Sequence, residues 1–316
     1  MTTAAAELAP GSVVQVAPAG RGLFVRVASD GRTGWGECSP LPARSIETLA
    51  DCRRALTSQD PVAATATLPA ARFALDTARH DLEASHAGCS VAELVAELVA
   101  APALEALDTS QVVELGGSAS ERCWKVKIGL GEFERELAVL IAMRERDPEV
   151  RLRLDVNRRW PADRVAEYLE RVAVLDLEWV EEPASASQVC AMGPAPVAIA
   201  LDESCADEPD ATRAAIEAKR AAFVILKPAL LGGFAPVRAW AAHARRAGAV
   251  PIVSHLFDGP ISLAACAELA RALAREGDPA PGLGRHAGLA RYPSLFIPQL
   301  AGGVLQSHRP GLGVHP

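Results

Sequence analysis

The hexapeptide WKVKIG, residues 124–129, sets two lysines one valine apart in a run that otherwise reads as a buried strand. Side chains alternate along a strand, so Lys125 and Lys127 share one face while Val126 and Ile128 share the other. An ammonium buried without a partner is strongly disfavoured, so the lysine face must look onto compensating charge. Similar runs recur downstream: SQVVEL (110–115), VRLRLDVN (150–157), LEWVEEP (177–183), VAIALDES (197–204), AAFVILKP (221–228) and VPIVSHLF (250–257). Helical patterns separate them, and that alternation is the mark of parallel βαβ units. Nearly every run ends in a polar group. Lys127, Asp155, Glu181, Asp202, Lys227 and Ser254 follow one another at intervals of 28, 26, 21, 25 and 27 residues, each room for a strand, a helix and two loops. A barrel delivers such strand ends to one rim, where active sites are built. An open doubly wound sheet would spread them along a line and usually carries a glycine-rich phosphate loop, yet neither GxGxxG nor GxxxxGK[ST] occurs here. The spacing predicts an α/β barrel of seven clear βα units, with a weak eighth near SLFIPQL (294–300).

Ahead of the barrel the texture differs. VVQV, GLFVRVAS and GWGECSPLP read as short antiparallel strands joined by Gly and Asp-Gly turns. IETLADCRRAL (46–56), ARFALDTARHDLEAS (71–85) and SVAELVAELVA (90–100) then space apolar residues by three and four, as helices do. The division expected is an α+β domain over 1–104, the barrel over 105–293, and a last strand with a tail over 294–316 that returns towards the first domain.

With 316 residues, half of them apolar, the chain can bury a substantial core. A formal charge of −7, from 32 basic and 39 acidic residues with no run of five or more like charges, argues against a nucleic-acid partner. VAELVAELVA is broken by glutamates and falls short of the roughly 20 apolar residues that span a bilayer, so no membrane partner is expected. MTTAAAELAPG lacks the basic start and apolar core of a signal peptide. Seven scattered cysteines without a CxxC pair imply a reduced, cytoplasmic protein, not a disulfide scaffold. Oligomeric state leaves no trace in the pattern.

Three carboxylates at successive strand ends, Asp155, Glu181 and Asp202, would repel one another unless compensated. An oxygen-only set suits a hard cation, Mg²⁺ in particular, which leaves room for substrate oxygens. The competing expectation is that each carboxylate caps a helix or pairs with an arginine. Lys127 and Lys227, ending two other strands, would then flank the metal from opposite sides of the barrel mouth. A nearby cation and partial burial both lower an ammonium pKa, which makes lysine a usable base. Lys125, one step deeper, adds a second positive charge that acts on Lys127 in the same sense. Alternatively the lysines reach solvent or pair structurally with Asp and Glu. Metal and lysine together point to abstraction of a proton α to a carboxylate, on a small-molecule carboxylate substrate.

The set KVK (125–127), LRLDVN (152–157), VEEP (180–183), LDES (201–204) and LKP (226–228) resembles the enolase superfamily and, within it, the muconate-lactonizing-enzyme subgroup. The resemblance implies a modified TIM-like (β/α)7β barrel with an N-terminal α+β capping domain. It implies metal ligation by Asp155, Glu181 and Asp202, and acid/base lysines at Lys127 and Lys227. Lys125, Arg153, Asn157, Glu182 and Glu203 become supporting residues. Because Lys227 stands where other subgroups carry Asp, His255 lacks an Asp partner and is expected to be ordinary. GECSPLP, the compact length, RLRLDVNRRW and the ending PGLGV are most similar to the short, divergent o-succinylbenzoate synthases, which form 2-succinylbenzoate on the way to menaquinone. Arg153 lies where such synthases carry an arginine, with a salt bridge inside the barrel, to Glu181 or another strand, as its structural alternative. Dipeptide epimerases, N-acylamino acid racemases and muconate cycloisomerases share the chemistry, and a non-catalytic barrel would share only the fold. No DxD motif of the dipeptide-epimerase kind lies within 284–300.

Two departures from the resemblance stand out. APAGRG (17–22) occupies the place of a mobile substrate-covering loop, and reads either as that or as a plain hairpin turn. SHLFDGP replaces a serine-rich segment, which leaves Ser254 and Gly259 as the candidate substrate-binding positions.

Overall fold

The computed structural model describes residues 12–292, 304–306 and 310–314. Its elements sort into two compact units, one of Met1–Asp108, Lys227–Trp240 and Val253–Pro316, the other of Thr109–Leu226 and Ala241–Ile252.

The first unit opens on an antiparallel meander of β1 (Val13–Ala19), β2 (Gly22–Ser29) and β3 (Arg32–Cys38). Ala19 pairs with Gly22, so Gly20 and Arg21 form a two-residue hairpin turn and the segment 17–22 is the tip of that hairpin. Alternation along β2 sends Leu23, Val25 and Val27 into a core shared with α1 (Leu49–Leu56) and α3 (Pro69–Ala87), which flank the short α2 (Pro61–Ala64). The glycines of GWGEC have a steric reason. A Cβ on Gly34 or Gly36 would collide with the carbonyl oxygens of Ala78 and Ala74, so only glycine lets β3 lie directly on the alanine face of α3. α4 (Val91–Val99) begins at a capping box of Ser90 and Glu93, and β4 (Ala106–Asp108) follows.

The barrel elements run β5 (Gln111–Val113), β6 (Cys123–Lys127), α5 (Phe133–Arg146), β7 (Arg151–Asp155), α6 (Val165–Val172), β8 (Trp179–Glu181), α7 (Ala186–Ala191), β9 (Ile199–Leu201), α8 (Ser204–Asp207), α9 (Pro209–Glu217), β10 (Phe223–Leu226), α10 (Pro228–Leu231), α11 (Phe234–Arg246) and β11 (Val250–Val253). The strands lie side by side in chain order from β5 to β11, and the registered pairs from β5 to β10 are parallel. A doubly wound sheet reverses its order at a switch point; this one never does, so every crossover advances the same way and the sheet rolls into a barrel wall. Each expected strand run has its strand. The eighth, at 294–300, falls outside the described residues.

Alternation also separates the two faces of that wall. Trp124, Val126, Leu152, Leu154, Val180 and Leu201 join Leu137, Leu140, Met143, Leu169 and Val172 of the covering helices in one core. Each fully buried Leu or Val there contributes roughly 1.5–3 kcal/mol. The other face holds a small apolar layer of Trp179, Ala200, Ile225 and Ile252, and above it the charged residues.

The first unit is completed by α12 (Pro260–Leu273), almost wholly buried, and by β12 (Val304–Gln306), antiparallel to β4. The tail segment PGLGV (310–314) fastens there: Gly311 donates to the Cys89 carbonyl at 2.9 Å and Leu312 to Asp81 at 2.7 Å.

Candidate active site

Lys127, Asp155 and Glu181 are Cα partners across β6, β7 and β8, so their side chains stand in one row at the carboxyl ends of three adjacent strands. Asp202 follows directly after β9. The three carboxylates are buried, at 1, 1 and 3 % exposure. None of them caps a helix: α6, α7 and α8 have Arg164, Ser185 and Glu203 at their N-caps. Their counter-charges are lysines. Lys127 Nζ lies 3.2 Å from both Asp155 Oδ2 and Asn157 Oδ1, and Asn157 also donates to Asp155.

Lys125 reaches up from one layer below. Its ammonium sits 3.0 Å from Asp155 and 2.5 Å from Glu181. Burial alone would pull its pKa down, but Asp155, Glu181 and Asp202 outweigh this and hold it above the ordinary lysine range, so Lys125 remains charged. Asp155, Glu181 and Asp202 form a buried, oxygen-only donor set, which fits a hard divalent cation in chemistry. As they stand, no three carboxylate, imidazole or thiol groups among the described residues close on one point, and the Lys125 ammonium fills the space between Asp155 and Glu181.

The loops behind this row are held in unusual backbone conformations. Asn157, Arg158 and Glu182 have φ of 48°, 59° and 44°, a region that side-chain-bearing residues enter only when their surroundings enforce it. The Glu182 side chain is fully buried and accepts from the amides of Asp202 and Ser204, both at 2.7 Å, from Ser204 Oγ at 3.1 Å and from Arg158 Nε at 2.8 Å. Burial raises its carboxyl pKa, and the bonds from Arg158 and Ser204 oppose that rise. Arg158 and Ser204 were not singled out from the sequence. Their partners lie 20 to 50 positions away in loops, where no periodicity signals them.

Arg153 shares the lysine face, opposite Lys125 in register. Its salt bridge is to Glu178 at 2.6 Å, not to Glu181, because Lys125 already occupies the Glu181 carboxylate and Glu178 lies at the near end of β8. The guanidinium stacks 3.8 Å over the Trp179 ring, which places it in the barrel floor.

The remaining candidates, Glu203 excepted, belong to the other unit. Lys227 follows the last residue of β10 and caps α10 with extended backbone. Ser254 Oγ donates to the Gly282 carbonyl at 3.0 Å. His255 Nδ1 accepts the Phe257 amide at 2.8 Å and its ring stacks on His286 at 4.8 Å. Gly259 has a packing reason: a Cβ there would fall on the Glu37 carboxylate, which accepts the Ile261 amide in the first turn of α12. Glu203 is buried at the head of α8.

Comparison with known proteins agrees with this architecture. Residues 109–316 match the enolase C-terminal domain-like family and residues 14–82 match the MenC N-terminal domain. The chain belongs to the enolase superfamily, and it is an enzyme of that superfamily. It is 31 % identical over 269 residues to the o-succinylbenzoate synthase of Klebsiella pneumoniae (strain 342), covering 79 % of this chain and 78 % of that one. Among solved structures, the muconate lactonizing enzyme from Pseudomonas putida matches with a TM-score of 0.77 at 20 % identity, over 96 % of this chain and 95 % of that one. The dipeptide epimerase from Methylococcus capsulatus complexed with Mg ion matches with a TM-score of 0.74 at 25 % identity, over 96 % of this chain and 98 % of that one.

Proposed function

We propose that the chain is an o-succinylbenzoate synthase, which dehydrates 2-succinyl-6-hydroxy-2,4-cyclohexadiene-1-carboxylate to 2-succinylbenzoate, a step towards menaquinone. The observation that carries the reading is the single row of Lys127, Asp155 and Glu181 across three adjacent strand ends, with Asp202 following the next strand. The synthase relative supports this choice among the chemistries such a row permits. Bound at Asp155, Glu181 and Asp202, Mg²⁺ would supply positive charge against which the substrate carboxylate gathers electron density.

Lys127 Nζ removes the proton α to the carboxylate, and the electron pair left on that carbon moves to expel the hydroxyl from the adjacent ring position. The protonated Lys127 returns the same proton to the departing hydroxyl, so one water leaves and the lysine is restored. Base and acid can be one group only if proton and hydroxyl leave from the same face. Asn157 and Asp155 hold Lys127 in place, and Lys125 keeps Asp155 and Glu181 in register. This route needs no second proton carrier, so Lys227 would have an electrostatic part in it and not an acid/base one. Aromatisation of the ring drives the elimination. The seven cysteines are all free thiols, which supports work in a reducing cytoplasm, and no helix of the described residues is long and apolar enough to cross a membrane.

The test is appearance of 2-succinylbenzoate, followed by ultraviolet absorbance, when the purified protein meets the dehydration substrate with Mg²⁺. No product under these conditions would sink the proposal. A second reading, dipeptide epimerase, is favoured by the Methylococcus capsulatus likeness. It requires Lys227 as an acid/base partner: Lys227→Ala should then retain solvent-deuterium exchange at the α-carbon of one enantiomer and lose isomerisation.

A further inference from the structure

We infer that Arg158, Glu182 and Ser204 form a positioning clamp that ties together the loops after β7, β8 and β9 and thereby sets the attitude of Asp202. This rests on the reading of Asp202 as a metal ligand. One carboxylate oxygen of Glu182 accepts the amides of Asp202 and Ser204, each at 2.7 Å, so the first backbone group beyond β9 is fixed by a side chain from β8's end. The other oxygen accepts from Arg158 Nε at 2.8 Å and from Ser204 Oγ at 3.1 Å. Ser204 Oγ in turn accepts from Arg158 Nη2 at 2.9 Å and from the Ala186 amide at 3.1 Å, while Arg158 Nη1 reaches Asp207 at 3.1 Å.

Arg158 and Glu182 are also joined through the backbone, the Arg158 amide donating to the Glu182 carbonyl at 2.8 Å. Both carry left-handed φ, a conformation costing on the order of 1–3 kcal/mol at each position. That cost is tolerated because the bonds of the clamp over-determine the loops. The planar guanidinium is needed: its three nitrogens serve Glu182, Ser204 and Asp207 in fixed directions, which a single ammonium cannot do. None of the three residues has a place in the proton-transfer steps, so the clamp acts through Asp202.

The experiment titrates Mg²⁺ calorimetrically, with Mn²⁺ and its electron paramagnetic resonance signal as a second probe, into the full chain and its Arg158→Met, Arg158→Lys and Ser204→Ala variants. Removing an outer-shell partner typically weakens metal binding about 10–100-fold. Arg158→Met and Ser204→Ala should each raise the metal Kd about tenfold, with Arg158→Lys between wild type and Arg158→Met. A role in folding alone predicts the opposite split, a lower metal-free Tm with unchanged Kd, and that result overturns the clamp. Asp202→Asn separates the two claims. If it abolishes metal binding while Arg158→Met and Ser204→Ala leave Kd untouched, only the clamp fails; if it leaves binding intact, the reading of Asp202 fails and the clamp with it.

Discussion

β6, β7 and β8 bury charge at both ends, and the two ends balance it differently. At the floor, Arg153 meets Glu178 at 2.6 Å, lies flat on Trp179, and the Cys123 thiol donates to the same glutamate. At the rim, Asp155, Glu181 and Asp202 all act on the one Lys125 ammonium, and the loops behind them run through left-handed backbone. The floor sets a guanidinium against a carboxylate, as stability requires of a buried ion pair. The rim gathers three like charges in one buried group and holds backbone strain behind them, which stability would not select and a binding site for a cation and a substrate would.

The largest effect is expected at the rim. Lys127→Ala is expected to lower kcat by at least about 10³-fold, the scale of a lost general acid/base group, with little change in the urea midpoint. An active variant would remove Lys127 from the mechanism. At the floor the sign reverses. Arg153→Met removes the buried guanidinium from Glu178, which is left with Arg151 at 3.9 Å, and should destabilise the protein by about 2–3 kcal/mol in equilibrium unfolding, while the variant that stays folded retains its Mg²⁺ affinity. A stable but metal-blind Arg153→Met would move that arginine from floor to rim.

The Glu37 site of the other unit sharpens the contrast through pH. Burial pushes the Glu37 carboxyl up to about 7, opposed by the hydrogen bond from Tyr292, and burial likewise lifts Asp258 to about 6. A carboxyl whose folded pKa is raised contributes stability that is complete below its ordinary value, near 4.5, and is lost as pH rises through about 7. Unfolding free energy should therefore fall between about pH 5 and about pH 8, by on the order of 3 kcal/mol for Glu37. Glu37→Gln should remove the Glu37 share and leave the part that Asp258 contributes as pH rises through about 6, and an unchanged slope would exclude Glu37 as an origin. The smallest effect belongs to Ser185→Ala, which removes the capping box of α7 with Gln188 and should cost about 1 kcal/mol without altering kcat or metal affinity. That variant calibrates how far a pure stability loss in the same unit spills into activity.

Much of this was legible beforehand because strands and helices carry local periods. WKVKIG and LRLDVN alternate, so the residues sharing a face with Lys127 and Asp155 followed from counting, and the intervals between strand ends followed from the length of a βα unit. The glycines of GWGEC could be recognised as strand residues, but the helix that requires them is some 40 positions away and known only after packing. Arg153 was placed on the correct face and its partner was not, since Glu178 and Glu181 are equally available to a reader of sequence. Gly259 was read as a substrate contact; the Glu37 carboxylate beside it supplies another reason for glycine.

By itself the sequence determined the parallel βα repeat, the face on which the charges lie and the chemical types delivered to each strand end, because each of these depends on periodicity within a few residues. Tertiary structure alone decided which charges meet: Lys125 between Asp155 and Glu181, Arg153 on Glu178, and Glu182 under Asp202, Ser204 and Arg158. Those pairings join residues 20 to 56 positions apart, and some pass through left-handed loop residues that no propensity foretells. Local sterics set the direction of a side chain, whereas its partner is chosen by the global competition to leave no buried charge unmatched.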